Sequence, residues 1–180
     1  AKIWKALSLE TYRGCPYKCT FCNSPAKNTI AEESGQGNFL RRKSINVVRN
    51  EIKEMILDYN CEFLYINDDA FMARPKSENL EMAKMLKEFK LPFWFQTRFE
   101  DITKETLQAF KDAGCYRMSF GLEHGNENFR KKRLLRNFSN EKVIEKSKII
   151  AEVGIPYTIN VIIGMPYETR DLIFETIDLI

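Results

Sequence analysis

The sequence predicts an α/β fold: parallel strands alternating with helices, built as a partial barrel of about five βα units, fewer than the eight of a closed barrel. Three observations carry this. Short apolar runs alternate along the chain with segments whose apolar residues fall at helical spacing. The strand runs are continuously apolar, as in a sheet covered on both faces. Polar groups gather at the C-terminal ends of those runs, the edge where parallel α/β folds build their sites.

Ala6 to Glu10 read as the first short strand, and a cysteine-rich loop follows directly. Residues Asn23 to Lys43 are polar, carry Gly35 and Gly37 and show no clear period, so an extended loop is expected there. Val48, Ile52, Met55, Ile56 and Tyr59 lie on one helical stripe, and Phe63 to Ile66 suit a buried strand. Leu80, Ala83, Leu86 and Phe89 predict the next helix and Phe93 to Thr97 the strand after it. Thr103 to Ala113 follow as a helix ended by Gly114. A strand at Tyr116 to Phe120 leads to a helix capped by Ser139 and closed by Gly154. A strand at Tyr157 to Ile163 and an amphipathic stretch from Arg170 complete the series.

The 180 residues, 44% hydrophobic, suffice for one domain with a substantial core. No basic segment followed by an apolar one opens the chain, and no apolar stretch approaches a membrane span. A cytoplasmic protein with no membrane partner is expected. Lys plus Arg (28) exceed Asp plus Glu (25) by only three, too little for a global field toward nucleic acid. The basic run Arg130, Lys131, Lys132, Arg133 and Arg136 has no interleaved aromatic platform and reads as the solvated side of a short helix. Five cysteines, three of them in one loop, argue against a secreted disulfide framework.

That loop holds Cys15, Cys19 and Cys22. Crowded thiolates repel one another unless a cation or an iron–sulfur core takes up their charge, so the loop is a candidate metal site. Structural zinc usually takes four protein ligands, and only one C-x-x-C is present. Cys61 and Cys115 each immediately precede a strand, which puts them at the opposite end from the loop. His124, the only histidine, is on the correct rim and stays open as a fourth ligand. A cubane cluster held by three thiolates keeps one iron free for a substrate or cofactor.

The C-x-x-x-C-x-aromatic-C pattern after the first strand resembles the signature of the radical S-adenosylmethionine enzymes, and the resemblance covers nearly the whole chain. Asp68 and Asp69 after the second strand, Gly121 to Glu123 after the fourth, and Ile163 to Pro166 after the fifth resemble that family's cofactor-binding positions. The similarity is greatest to the subgroup often preceded by a cobalamin-binding domain, with its methyltransferases, anaerobic cyclases and methylthiotransferase relatives. The resemblance implies a (β/α)6 TIM-like barrel, of which residues 1–180 would hold about five units. A cobalamin-binding domain before Ala1 and a substrate-specific extension after Ile180 are then expected outside the chain.

By the same resemblance, Cys15, Cys19 and Cys22 would hold a [4Fe–4S] cluster whose fourth iron is chelated by the amino and carboxylate groups of S-adenosylmethionine. An electron passed to the sulfonium would split a carbon–sulfur bond, and the resulting 5′-deoxyadenosyl radical would abstract hydrogen from a substrate. Phe21 would sit beside the adenine. Asp68 or Asp69 would meet the methionine ammonium; many family members carry Gly-Gly-Glu there, a pattern from which this sequence departs. Ser119 and Glu123 would contact the ribose hydroxyls and the methionine end, and Ile163 and Gly164 would bring the backbone close to adenine. Gln96 and Arg98 alternate along one strand and so share a face, expected to be the barrel interior. There Arg98 could pair the cofactor carboxylate or a substrate anion, or neutralise Asp68 or Glu123.

The resemblance also implies a small-molecule or cofactor-like substrate, an electron donor such as a flavodoxin or ferredoxin, and cobalamin bound through a domain outside the chain. Methyl transfer, cyclisation and sulfur insertion all stay open. A non-catalytic iron–sulfur or zinc-binding module would explain the cysteines but would leave the acidic and glycine segments at the other strand ends without a role.

Overall fold

The computed structural model describes residues 3–180. In chain order the elements are β1 (Ala6–Leu9), β2 (Tyr12–Arg13), α1 (Ser24–Glu33), β3 (Arg41–Arg42), α2 (Ile45–Tyr59), β4 (Phe63–Ile66) and α3 (Lys76–Phe89). They continue with β5 (Phe93–Thr97), a single 3-10 turn (Phe99–Asp101), α4 (Lys104–Asp112), β6 (Cys115–Glu123), α5 (Glu127–Lys132), α6 (Asn140–Val153), β7 (Tyr157–Val161) and α7 (Arg170–Leu179). The main sheet has five strands in the order β1-β4-β5-β6-β7, and every neighbouring pair is parallel. Strands adjacent in the sheet are therefore joined by helical crossovers, as parallel pairing requires. The sheet is open, with β1 and β7 at its edges; β2 and β3 form a separate antiparallel ribbon.

Alternation along each strand divides the sheet into two faces. Leu64, Ile66, Phe93, Phe95, Met118 and Phe120 are buried in one cluster with the helix residues Val48, Ile52, Met82, Leu86, Leu107, Phe110, Val143 and Ile150. The rings of Phe71, Phe95 and Phe110 meet there at 4.6 to 5.4 Å. Phe110 is fully buried, which stabilises the fold by about 1.5–3 kcal/mol. Tyr65, Trp94, Gln96 and Ser119 occupy the alternate positions and face the other way, and Tyr65 stacks on Trp94 at 4.4 Å.

The helix ends are set locally. Ser44 and Ser139 accept hydrogen bonds from the Val47 and Lys142 amides, and Thr103 with Thr106 forms a capping box; each such cap contributes about 1 kcal/mol. Gly154 ends α6 in the left-handed conformation at φ +74°, which glycine adopts without steric cost.

Three expectations are corrected. The stretch from Asn23 to Lys43 is not an extended loop but contains α1 and β3. Along α1 only Ser24 and Ala31 are buried, so the helix carries no apolar stripe for periodicity to register. Strand β6 runs on to Glu123 rather than stopping at Phe120, and a register shift between Gly121 and Glu123 marks a bulge near its end. The basic run is not uniformly solvated, because Arg130 and Arg136 are buried. Arg130 donates to the carbonyls of His124, Gly125 and Phe138 and to Asn140 Oδ1, which holds the α5–α6 connection together. No helix among the described residues is long and apolar enough to cross a membrane.

Candidate functional site

The cysteine loop is shaped by its anchors. The ribbon of β2 and β3 brings Gly14 against Phe39 and Leu40, where a Cβ would lie 2.9 Å from each side chain and φ is +81°. Glycine answers both constraints, and Cys15 follows it. Asn28 of α1 donates to the Cys15 carbonyl at 3.2 Å. The Thr20 hydroxyl donates to the Arg133 carbonyl at 2.7 Å and the Thr20 amide to the Leu134 carbonyl at 3.3 Å, which ties the loop to the α5–α6 connection. The Cys22 amide closes a turn on the Cys19 carbonyl at 3.2 Å, and the Ser24 amide faces Cys22 Sγ at 3.4 Å.

Cys15, Cys19 and Cys22 line one cavity of about 200 Å³ at the C-terminal edge of the sheet, together with Phe21, Asp69, Gln96, Thr97, Arg98, Gly121, Glu123, Arg136 and Asn160. Eight of the twelve residues singled out in the sequence thus share this cavity: the three cysteines, Phe21, Asp69, Gln96, Arg98 and Glu123. Asp69 accepts from the Ser24 hydroxyl at 3.2 Å. Gln96 donates to the Asp68 carbonyl at 3.3 Å. Glu123, at φ +68° on the β6 bulge, lies 3.6 Å from Arg136. Burial raises its carboxyl above the usual range, against the lowering pull of Arg136 and Arg98.

Arg98 pairs with Glu100 at 2.5 Å, not with Asp68 or Glu123, because the 3-10 turn after β5 folds Glu100 back onto it. Burial pushes the Cys15 thiol up to about 11, so a metal or cluster bound at neutral pH displaces its proton.

The other singled-out residues lie elsewhere. The Asp68 carboxylate accepts from the Thr11 amide and hydroxyl at 2.6 and 2.5 Å and from Arg74 at 3.0 Å. Burial lifts its pKa although Thr11 and Arg74 pull it down. Ser119 Oγ is shared between Trp94 Nε1 at 3.2 Å and the Thr158 hydroxyl at 2.7 Å. Ile163 is exposed, and Gly164 is held by its amide on Glu168 at 2.5 Å. His124 does not line the cavity: its ring stacks on Phe129 at 4.3 Å, Nδ1 accepts from the Asn126 amide at 3.0 Å and Nε2 faces Glu168 at 3.2 Å. Cys61 and Cys115 are buried at the N-terminal ends of β4 and β6, where their thiols donate to the carbonyls of Phe63 and Arg117.

Thr97, which the sequence places on the same rim between Gln96 and Arg98, also lines the cavity, whereas sequence reasoning missed Arg136 and Asn160. Asn160 stands near a strand C-terminal end, a signal that would have found it. Arg136 comes from beyond α5, and nothing local marks it.

The donor set suits a thiolate-bound iron–sulfur cluster. Three thiols open onto one cavity, and guanidinium nitrogens of Arg98 and Arg136 lie 3.2 and 3.8 Å from Cys19 Sγ. Positive charge therefore stands where the thiolates would concentrate negative charge. Glu100 Oε2, Asp101 Oδ2 and Arg136 Nε are buried without a partner beside this cluster of charges. Among the described residues, no three His, Cys, Asp or Glu side chains are gathered so as to hold a single metal ion.

The family model of the Radical SAM superfamily matches residues 9–180. Similar proteins include an uncharacterized methyltransferase of Pyrococcus horikoshii, 24% identical over 93% of this chain and 35% of the relative. Another is the cytidylyl-2-hydroxyethylphosphonate methyltransferase of Streptomyces wedmorensis, 28% identical over 88% of this chain and 28% of the relative. The chain thus spans about a third of the length of these curated relatives. Among solved structures, the radical S-adenosylmethionine methyltransferase TsrM of Kitasatospora setae, with cobalamin and a [4Fe–4S] cluster bound, superposes with a TM-score of 0.76. The identity is 16%, over 95% of this chain and 31% of that one.

Proposed function

Because the chain belongs to the radical SAM superfamily, we propose that it is the core of an enzyme that binds a [4Fe–4S] cluster and S-adenosylmethionine and acts on a small-molecule substrate in methyl transfer with cobalamin. The observation that carries this reading is the meeting of Cys15, Cys19 and Cys22 with Asp69, Gln96, Arg98 and Glu123 around one cavity at the C-terminal edge of the sheet. The methyltransferase names of the similar proteins and the cobalamin in TsrM favour methyl transfer over cyclisation or sulfur insertion.

In this reading Cys15, Cys19 and Cys22 hold the cluster as thiolates. When bound, the cluster and S-adenosylmethionine supply reductive cleavage of a sulfonium carbon–sulfur bond. The protein's part is to hold, orient and keep dry. Asp69 offers a carboxylate to the methionine ammonium, a charge-assisted hydrogen bond. Glu123 offers acceptors to hydroxyl groups, and Arg136 beside it favours the ionised carboxylate against the opposing effect of burial. Phe21, 38% exposed at the mouth, offers a ring face to the adenine.

The test is anaerobic reconstitution of the full-length protein with iron and sulfide, followed by reduction with S-adenosylmethionine and cobalamin present. Release of 5′-deoxyadenosine and S-adenosylhomocysteine with a methylated product supports the reading. A loaded cluster that yields neither with any substrate overturns it, and a product carrying inserted sulfur moves the chain to the methylthiotransferase relatives.

A further inference from the structure

Arg98 is held more firmly than a surface arginine could be. Its side chain is 7% exposed, and its guanidinium carbon lies 3.6 Å from the centre of the Tyr17 ring. The Tyr17 hydroxyl donates in turn to the Asp101 carboxylate. Arg98 Nε and Nη2 donate to Glu100 Oε1 at 3.2 and 2.5 Å. Nη1 donates to Cys19 Sγ at 3.2 Å. All three nitrogens of the fork thus have partners within the protein. Glu100 and Asp101 belong to the 3-10 turn that follows Arg98 directly, so one short segment carries both the cation and the acids that fix it.

A neutral thiol is a weak hydrogen-bond acceptor, whereas an anionic sulfur takes a charge-assisted bond. A guanidinium stacked on the Tyr17 ring and aimed at one buried sulfur is therefore suited to a charged sulfur. Arg136 Nη1, 3.8 Å from the same atom, adds a second positive group. Cluster potentials follow net charge and the hydrogen bonds made to the sulfurs, and groups behind a ligand tune the metal through it. Reduction adds one negative charge to the cluster, and a fixed cation at a ligating sulfur favours that state.

We propose that Arg98 raises the reduction potential of the cluster through Cys19 Sγ, with Glu100 and Tyr17 holding its guanidinium in place. Arg98 is on this account a positioning and tuning residue, not a contact for S-adenosylmethionine. The inference rests on the reading that Cys19 is a cluster ligand.

The experiment is an equilibrium redox titration of the reconstituted full-length protein, followed by electron paramagnetic resonance of the reduced cluster, with S-adenosylmethionine binding measured in parallel. Arg98→Gln is expected to lower the reduced-to-oxidised ratio at fixed potential about tenfold, a fall in midpoint of about 59 mV for a one-electron couple. Arg98→Lys, which keeps the charge and loses the fork, is expected to fall between Arg98→Gln and wild type. Glu100→Gln leaves the cation without its counter-charge and is expected to shift the midpoint upward. A loaded Arg98→Gln with an unchanged midpoint and weakened S-adenosylmethionine binding overturns the proposal and makes Arg98 a cofactor contact. If Arg98→Gln assembles no cluster, the sign of the Glu100→Gln shift decides, and no upward shift overturns the proposal. Wild-type protein that assembles no cluster overturns the cluster reading itself, and the tuning role with it.

Discussion

Asp68 and Asp69 are adjacent in the chain and face opposite environments. Asp68 closes a buried pair with Arg74, the two side chains 0% and 3% exposed, and Thr11 fills its remaining acceptors from the end of β1. Asp69 opens onto the cysteine cavity. Consecutive residues leaving a strand point to opposite sides, so one acid ties β1 to β4 while its neighbour faces the cavity.

Substitution should separate the two roles. Asp68→Ala leaves Arg74 buried without its charge partner and should cost about 3 kcal/mol or more in stability, read by urea unfolding. Asp69→Asn should change stability by less than about 0.5 kcal/mol and weaken S-adenosylmethionine binding about tenfold, the loss of one charge-assisted hydrogen bond. Equal loss of stability in both would contradict the division.

The cysteines divide as sharply. Cys19→Ala should abolish cluster assembly, measured as iron and sulfide bound after anaerobic reconstitution. Cys61→Ala should leave that content unchanged, because Cys61 is buried before β4 with its thiol on the Phe63 carbonyl. Equal loss in both would place Cys61 at the site.

Burial raises Asp101 to about 6 from 3.8, even though the Tyr17 hydrogen bond pulls it down. The folded protein therefore keeps this proton between about pH 4 and pH 6, where the unfolded chain has released it. Stability is fully present below that window and falls as pH rises through it. In the cluster-free protein, Asp101→Asn should gain on wild type by about 1 kcal/mol between about pH 5 and pH 8, measured by urea unfolding. A difference that does not vary with pH would contradict this.

Helix α7 docks on the end of β6 through Gly125. A Cβ there would lie 2.3 Å from Thr176 Cα and 2.6 Å from the Glu175 carbonyl, and the Gly125 amide donates to Thr176 Oγ1 at 2.8 Å. Gly125→Ala should cost about 2 kcal/mol or more, and Thr176→Val, which removes the hydroxyl that accepts from the Gly125 amide and donates to the Leu172 carbonyl, should cost about 1–3 kcal/mol. A neutral Gly125→Ala would show that α7 sits elsewhere.

The strands were readable because Phe63 to Ile66 and Phe93 to Thr97 carry their burial in sequence-local runs. The same logic placed Asp69, Gln96, Arg98 and Glu123 on one rim. It failed where position depends on partners distant in the chain. Helix α1 has little apolar surface to bury, and it carries Asn28 to the Cys15 carbonyl and Ser24 to Asp69. Arg136 reads as one more surface cation, yet it donates to the Gly121 carbonyl and lies within reach of Cys19. The choice between Asp68 and Asp69 depended on Arg74 and Thr11, whose approach no local pattern announces.

The central claim is that Cys15, Cys19 and Cys22 hold an iron–sulfur cluster with one iron open to S-adenosylmethionine. It is tested most directly by electron paramagnetic resonance of the reconstituted, reduced protein before and after S-adenosylmethionine is added. The account predicts about four irons and four sulfides per chain and a cluster spectrum that changes on addition. A spectrum indifferent to S-adenosylmethionine, or a protein that retains zinc in place of iron and sulfide, would contradict it.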